Sequence, residues 1–553
     1  MADGAFCLVL HGHLPWVLHH GRWPHGEDWL FEAAGETWLP LIQVLDTLDA
    51  EGIRPGWTIG LMPILLEQLA HERFKDGMEA WLLERVEHAR RDAAAFTSQD
   101  AHLAWLAERW AAHFEDLLAR FRGIDRDIPA ALRGRPGVEL LTSNATHGYQ
   151  PLILHDQCAR AQIRAGLATS ERHLLTRPRA AWLPECAYRP GGPWMPPALH
   201  GDLRDRAGVA SLFGEEGVVG FVVDTHLVEK SVPVARLDGE VATPVDGAML
   251  ADSRMGWNSV MEPLRVVERD VLTPVTVLAR CPDVSEQVWS GEVGYPGDGR
   301  YLEFHKRHGL RGLRYWRVTG PGVDLGSKST YGPDEVQAAV HSHAMHFVGT
   351  LQRRVAEHRQ RTGRFGVVCA PFDAELFGHW WHEGPRFLLD VSRELAAQSV
   401  VEPMTLSEVH SRIPADKAGA MPEGTWGAGG DHRVWLNDEL RFYWELAYRA
   451  EDRFLALIDR TRDVPATRTL MEAAGRQLLL LQASDWPFVI HTRGAVDYGL
   501  RRILDHAGRF DDLCNGVEDL LAGRPEDPVV RDTLERCELV DPVFPDLDLA
   551  WWS

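Results

Sequence analysis

Residues 365–375 read FGVVCAPFDAE, a short apolar, β-branched run that stops at an acid, Asp373. Such a run is a strand buried on both faces, and its C-terminal end delivers the polar residue. Five earlier runs have the same form: AFCLVLHGH (5–13), GWTIGLMP (56–63), VELLTSNATHG (138–148), AAWLPE (180–185) and VVGFVVDTH (218–226). Helical patterns lie between them, for example Val336, Val340, Phe347, Leu351 and Val355, spaced mostly four or seven apart. Strands alternating with helices predict an α/β fold with a parallel sheet, and in an α/β barrel the functional residues sit at the strand C-termini.

Two stretches break the alternation. Residues 68–135 carry amphipathic helical patterns with no strand between them and read as a helical insertion. From about 416, after the glycine-rich TWGAGGDH, helical patterns follow one another: Leu440, Tyr443, Trp444, Ala447, Leu455 and Ile458 share a face, Leu470 to Leu481 form a second helix, and 494–511 a third. The expected organisation is therefore an α/β domain over 1–415, with the helical insertion inside it, and an all-α C-terminal domain over 416–553.

Composition narrows the ligand. The 553 residues carry 80 acids against 58 bases, a formal net charge of -22, which argues against nucleic acid or another polyanion. No run of about 18 apolar residues could span a bilayer, and the N-terminus lacks the basic start of a secretory signal. A cytoplasmic protein is expected. The 7 cysteines stand singly in apolar surroundings and read as buried reduced thiols. The 21 tryptophans outnumber 9 tyrosines, and several stand beside Gly, Pro or acids; flat apolar faces next to hydrogen-bonding groups suit sugar rings.

Glu185, in RAAWLPECAYRPGGPW (179–194), is a lone acid in an apolar setting and is costly to desolvate without a partner or a task. If both acids end strands, Glu185 and Asp373 face one cleft. Paired carboxylates among aromatics are the machinery of glycosidic bond cleavage, one attacking the anomeric carbon or activating water and the other protonating the leaving oxygen. A strand-end cap or a buried ion pair is the other reading of either acid alone.

The segments HGHLPW (11–16), LLTSNATHG (140–148), WLPECAY (182–188), APFDAELFGHWW (370–381) and LLLLQASDWPF (478–488) resemble, in order, the five conserved regions of glycoside hydrolase family 57, and VWSGEVGYPGD (288–298) with TWGAGGDHRVWLN (425–437) resemble its α-glucan branching enzymes. The resemblance implies an incomplete TIM-like (β/α)7 barrel and a retaining double displacement, with Glu185 as nucleophile and Asp373 as general acid/base. It assigns Trp289, Trp426 and Trp435 to glucan binding and places Asp485 and Trp486 close to the same cleft. No cofactor is implied; the partner is an α-glucan, and a monomer is expected.

His11, His13 and His147 end strands. Two histidines at i and i+2 point to the same side and could ligate a metal, but hydrogen bonding to sugar hydroxyls is the reading the resemblance implies, and no metal is assigned. The resemblance also implies a mobile loop that closes a tyrosine over the site. No tyrosine lies between Tyr188 and Tyr295, and Trp257 is the only aromatic of the stretch 227–260, which makes it the candidate for the lid. The alternatives are an α-amylase-like hydrolase on the same scaffold, a metal-dependent polysaccharide deacetylase suggested by HGH, and a non-catalytic glucan-binding protein.

Overall fold

The computed structural model describes residues 2–198, 203–252, 255–291, 293–525 and 527–553. In chain order its strands are β1 Gly4–Gly12, β2 Trp57–Leu61, β3 Val138–Leu141, β4 Ala180–Ala181, β5 Gly192–Trp194, β6 Arg204–Arg206, β7 Gly220–Val223, β8 Val232–Asp238, β9 Val241–Pro244, β10 Leu264–Glu268, β11 Val271–Ala279, β12 Gly366–Asp373, β13 Val401–Pro403 and β14 Lys417–Ala420. All six runs expected from the sequence hold a strand. One sheet has the order β12-β1-β2-β3, with β13 also on β1, and every pairing in it is parallel. All nine residues of β1 are buried, as two-sided covering of a parallel sheet requires.

A second sheet has the order β4-β7-β11-β10-β14-β8-β9, with β4, β7 and β11 mutually parallel. Parallel bridges Thr142–Ala181 and Arg280–Cys369 connect the two sheets. β11 was not among the expected strands because Pro274 interrupts its apolar run. The structure accommodates the proline where the β10–β11 register slips between Arg265 and Val267, the position at which a residue without an N–H is tolerated.

The helical insertion is present as the helices Pro63–Ala70, Glu72–Phe96, Ala101–Gly123 and Ile128–Leu132. The two long ones pack through Trp81 and Phe114, whose rings meet edge to face at 6.0 Å, and Asp100 caps the second by accepting from the His102 and Leu103 N–H groups. The C-terminal region is helical over Arg441–Thr461, Arg468–Leu481, Asp485–His491, Val496–Leu521 and Pro528–Val540. The stretch expected to be helical from 416 instead begins with β14, which pairs with β10 and β8. The whole is an α/β fold of mostly helical content with a helical C-terminal region. Among the described residues no helix is long and apolar enough to cross a membrane, and all seven cysteines are free and buried.

The stretch 227–260, expected to be a loop, holds the β8–β9 hairpin and a short helix, Gly247–Ala251; residues 253 and 254 lie outside the described residues. Trp257 is buried at 7% exposure and its indole donates to the Met249 carbonyl at 3.1 Å. Its neighbours are anchored: Lys417 donates to the Met255 and Gly256 carbonyls, and Asn258 to the backbone at 228–231. The Met261 carbonyl accepts from Val367 at the start of β12, six residues and so roughly 20 Å from Asp373. In this structure Trp257 is therefore a buried side chain held to its own segment.

Candidate active site

Parallel register brings the strand ends together. His11 pairs with Asp373 on one side and Gly60 on the other, and Gly60 with Leu141, so β1, β2, β3 and β12 end side by side. Glu185 follows β4 in the single turn Pro184–Cys186, with φ 61 and ψ 23, and Cys186 has φ 47. Two consecutive side-chain-bearing residues in the left-handed region cost on the order of 1–3 kcal/mol each and persist only where their surroundings fix them. Tyr188 and Gly424 exchange backbone hydrogen bonds of 2.9 and 3.0 Å, and the Trp426 N–H donates to the Glu185 carbonyl at 3.1 Å.

The Glu185 carboxyl accepts from Trp426 Nε1 at 2.9 Å and from Ser484 Oγ at 3.1 Å. Ser484 Oγ also lies 2.8 Å from His147 Nδ1. Because the hydroxyl proton goes to Glu185, the imidazole supplies the other proton, which places the neutral His147 in its Nδ1–H tautomer. Burial, then the neighbouring histidines, holds the His147 pKa well below its usual value, and burial with His13 does the same to His11.

His13 Nε2 contacts both oxygens of Asp485 at 3.0 and 2.9 Å and stacks on His147 at 4.0 Å; His11 stacks on Trp182 at 4.4 Å. The segment carrying Ser484 and Asp485 is laid on the end of β3 by the Gly148–Ala483 bridge and a bond from the Ser484 N–H to the His147 carbonyl. His13, His147 and Asp485 offer ligand atoms within 4.8 Å of one another, so these three, rather than His11 with His13, could hold a metal ion.

Burial raises the Glu185 pKa to about 7, with Asp485 adding to the rise while the Trp426 and Ser484 donors oppose it. Burial and the Glu185 charge raise Asp373 to about 7 as well. Among the described residues no hydrogen bond reaches the Asp373 carboxyl. Glu375, two residues on, is buried and pushed well above the carboxylate range by burial and by Asp373. Sequence reasoning passed over it, although it stands in the same FDAEL stretch. Ser484 was missed for a different reason: its role depends on a contact across 299 positions.

The expected aromatics divide. Trp426 reaches Glu185. Trp289 is exposed and tilts against Trp380, also exposed, at 6.0 Å. Trp435 is 1% exposed and stacks on Tyr149 at 4.8 Å, while Phe488 on its other side is exposed, so Phe488 presents the open ring there. Trp486 is likewise buried; its indole donates to the Leu480 carbonyl at 2.8 Å and Arg502 covers its ring at 4.7 Å, which makes it a packing residue. In this structure neither Trp435 nor Trp486 presents an open ring face to solvent. Asp224 and His226, at the end of β7, were not assigned: Asp224 pairs with Arg280, and His226 lies 3.2 Å from the Gly430 carbonyl in the turn that carries Trp426.

The chain is similar to known proteins over nearly its whole length. The sequence profile described as 1,4-alpha-glucan branching enzyme, C-terminal, matches residues 446–552. A 1,4-alpha-glucan branching enzyme of Thermococcus kodakarensis is 38% identical over 517 residues, 93% of this chain and 73% of that protein. The crystal structure of a GH57-type branching enzyme from Pyrococcus horikoshii superposes with a TM-score of 0.89 at 34% identity, covering 100% of this chain and 97% of that one. The alpha-amylase AmyC of Thermotoga maritima gives a TM-score of 0.82 at 27% identity over 99% of both chains. The profile of glycosyl hydrolase family 57 matches residues 7–422, from the first strand through the end of β14, and the chain belongs to that family.

Proposed function

We propose that the protein is a 1,4-α-glucan branching enzyme acting by retaining double displacement, with Glu185 as nucleophile and Asp373 as general acid/base. The observation that carries the assignment of roles is the asymmetry of donors: Glu185 receives two, Asp373 none among the described residues. Donors favour the ionised form, so when one proton is shared between the two acids it resides on Asp373. In the first half-reaction a Glu185 oxygen forms a bond to the anomeric carbon, the α-1,4 bond breaks, and the Asp373 proton passes to the leaving 4-oxygen. In the second, the 6-hydroxyl of a glucan chain attacks the same carbon, its proton goes to Asp373 and Glu185 leaves.

Among the described residues His11 Nδ1, His13 Nδ1, His147 Nε2 and Trp182 Nε1 are buried without a partner on these strand ends, and sugar hydroxyls would satisfy them. The exposed Trp289–Trp380 pair and Phe488 offer faces for further glucose rings. We read the seven parallel strands β1, β2, β3, β4, β7, β11 and β12 as a (β/α)7 barrel, supported by the Thr142–Ala181 and Arg280–Cys369 bridges, with the helical region from about 425 as a second domain over its mouth. A cytoplasmic setting fits the seven reduced thiols. Incubation with linear amylose, followed by proton NMR of α-1,6 linkages beside a reducing-end assay, tests the reading. New α-1,6 signals with few reducing ends are expected; reducing ends alone would make the protein a hydrolase.

A further inference from the structure

Outside the strand ends, the helices Leu39–Ala50, Ala101–Gly123 and Gly384–Ala396 line a half-open cavity of about 400 Å³, within the range of about 300–1,000 Å³ that small-molecule sites occupy. Its aromatic side is Trp110, fixed by a bond from Nε1 to the Arg314 carbonyl at 2.8 Å and stacked on Phe114 at 5.6 Å. His382 approaches Trp110 at 5.2 Å and His113 at 6.0 Å. Burial holds both imidazoles neutral, His113 at about 4 and His382 at about 3. Neither ring makes a hydrogen bond among the described residues, so each offers one donor and one acceptor.

The cations of the wall are committed: Arg314 to Glu36 at 2.8 Å, Arg386 to Asp390 at 3.1 Å, and Arg393 to Glu51. A phosphate would find no free positive charge here. An uncharged ligand with a flat apolar face and rim hydroxyls matches the ring of Trp110, the two neutral imidazoles and the side chains of Gln43 and Thr47. We propose that this cavity is a second, non-catalytic carbohydrate site that takes a short stretch of α-glucan chain. The choice of α-glucan over other sugars rests on the activity proposed above. Held there, a polymer is tethered to the enzyme and its local concentration at the strand ends rises.

The test uses the full chain carrying Glu185→Gln, so that binding is read without turnover. Calorimetric titration with maltoheptaose should show two classes of site, and Gln43→Trp, which fills the mouth from an exposed helix position, should abolish one of them. His113→Leu, which removes a donor and an acceptor at nearly the same volume, should do the same if Gln43→Trp does not fold. With Glu185 restored, either change should raise KM for amylose about tenfold and leave kcat on a short maltooligosaccharide unchanged. A single class of sites, or two classes untouched by both changes, would overturn the proposal. If amylose is not branched at all but the second class persists and responds, the activity reading fails and this one stands.

Discussion

Glu185 and Asp373 are both part-buried acids held near neutrality, and the chemistry depends on their being unequal. Protonation of Glu185 should set the acid limb of the pH profile of kcat/KM and ionisation of Asp373 the alkaline limb, two limbs that belong to the coupled pair around pH 7. Glu185→Gln removes the charge that raises Asp373, so the Asp373 titration, followed by carboxyl NMR, should move down; an unmoved titration would mean the two acids do not sense each other. A second consequence concerns stability. A carboxyl whose folded pKa is raised binds protons more tightly in the folded state, so its contribution is present below the ordinary carboxyl range and is lost as pH rises to about 7. Asp373→Asn should thus be more stable than the parent at pH 8 by up to about 4 kcal/mol in denaturant titration, and no more stable at pH 4. Trp426→Phe keeps a ring against Trp182 but deletes the donor to Glu185; a hydrogen bond to a charged group is worth about 1.5–3 kcal/mol, so kcat should fall roughly 10- to 100-fold with the acid limb displaced upward. The two acids were legible in the sequence because each interrupts an apolar run. Ser484 and the His147 tautomer were not, since no local pattern reports a contact made between distant segments.

At the scale of elements, the turn carrying Trp426 shows how the chain delivers a donor to a strained residue. Gly429 and Gly430, at φ 81 and 73, reverse the backbone, and His226 holds the turn through the Gly430 carbonyl. A Cβ at Gly424 would lie 2.6 Å from His226 Nε2 and 3.0 Å from the Gly430 carbonyl oxygen, so Gly424→Ala should push the turn off Glu185. About a tenfold loss of kcat, with the melting temperature nearly unchanged, is expected, because one donor of about 1.5 kcal/mol is misplaced while the core is intact; equal loss of both would point to general misfolding. The same scale explains what was misread. Apolar runs identified the six strands that follow the buried pattern, but β11 contains Pro274 and the β8–β9 hairpin alternates with polar residues at a sheet edge, so neither resembles a buried parallel strand. Trp435 and Trp486 stand in motifs beside residues of the site, yet a motif does not state which face of a helix or turn meets the cleft. Both of those rings are buried, whereas Phe488 keeps an open face.

Across the whole molecule, the strand ends and the strand starts are held by different means. At the ends, the helical region is latched through His13–Asp485 and through Ser484, groups that belong to the site itself. Beside the start of β12, where Gly366 lies against His358 and Met261, the buried Glu262 contacts Lys417 at 2.6 Å, Arg364 at 2.8 Å and His358 at 3.1 Å. Burial alone would raise the Glu262 carboxyl, but these three partners bring it below the ordinary range. A lowered carboxyl contributes stability above the unfolded pKa, and that contribution disappears as pH falls through the folded one. The segment that carries Trp257 is tied to this cluster, since the Met255 and Gly256 carbonyls accept from Lys417. In parallel α/β folds chemistry belongs to the strand C-termini and the opposite face serves stability, which makes a sharp division of effects testable. Lys417→Met leaves a buried carboxylate short of a partner and should destabilise the fold by about 3–5 kcal/mol in denaturant titration. Trp257→Ala should cost a similar amount through the cavity it opens, about 3–5 kcal/mol. Among the described residues neither side chain makes a hydrogen bond or ion pair to Glu185, Asp373, Ser484 or Trp426, so at a temperature where both variants remain folded the ratio of new α-1,6 branches to new reducing ends should equal that of the parent. A shift of that ratio toward hydrolysis in Trp257→Ala, without a shift in Lys417→Met, would return Trp257 to the role of excluding water from the glycosyl-enzyme.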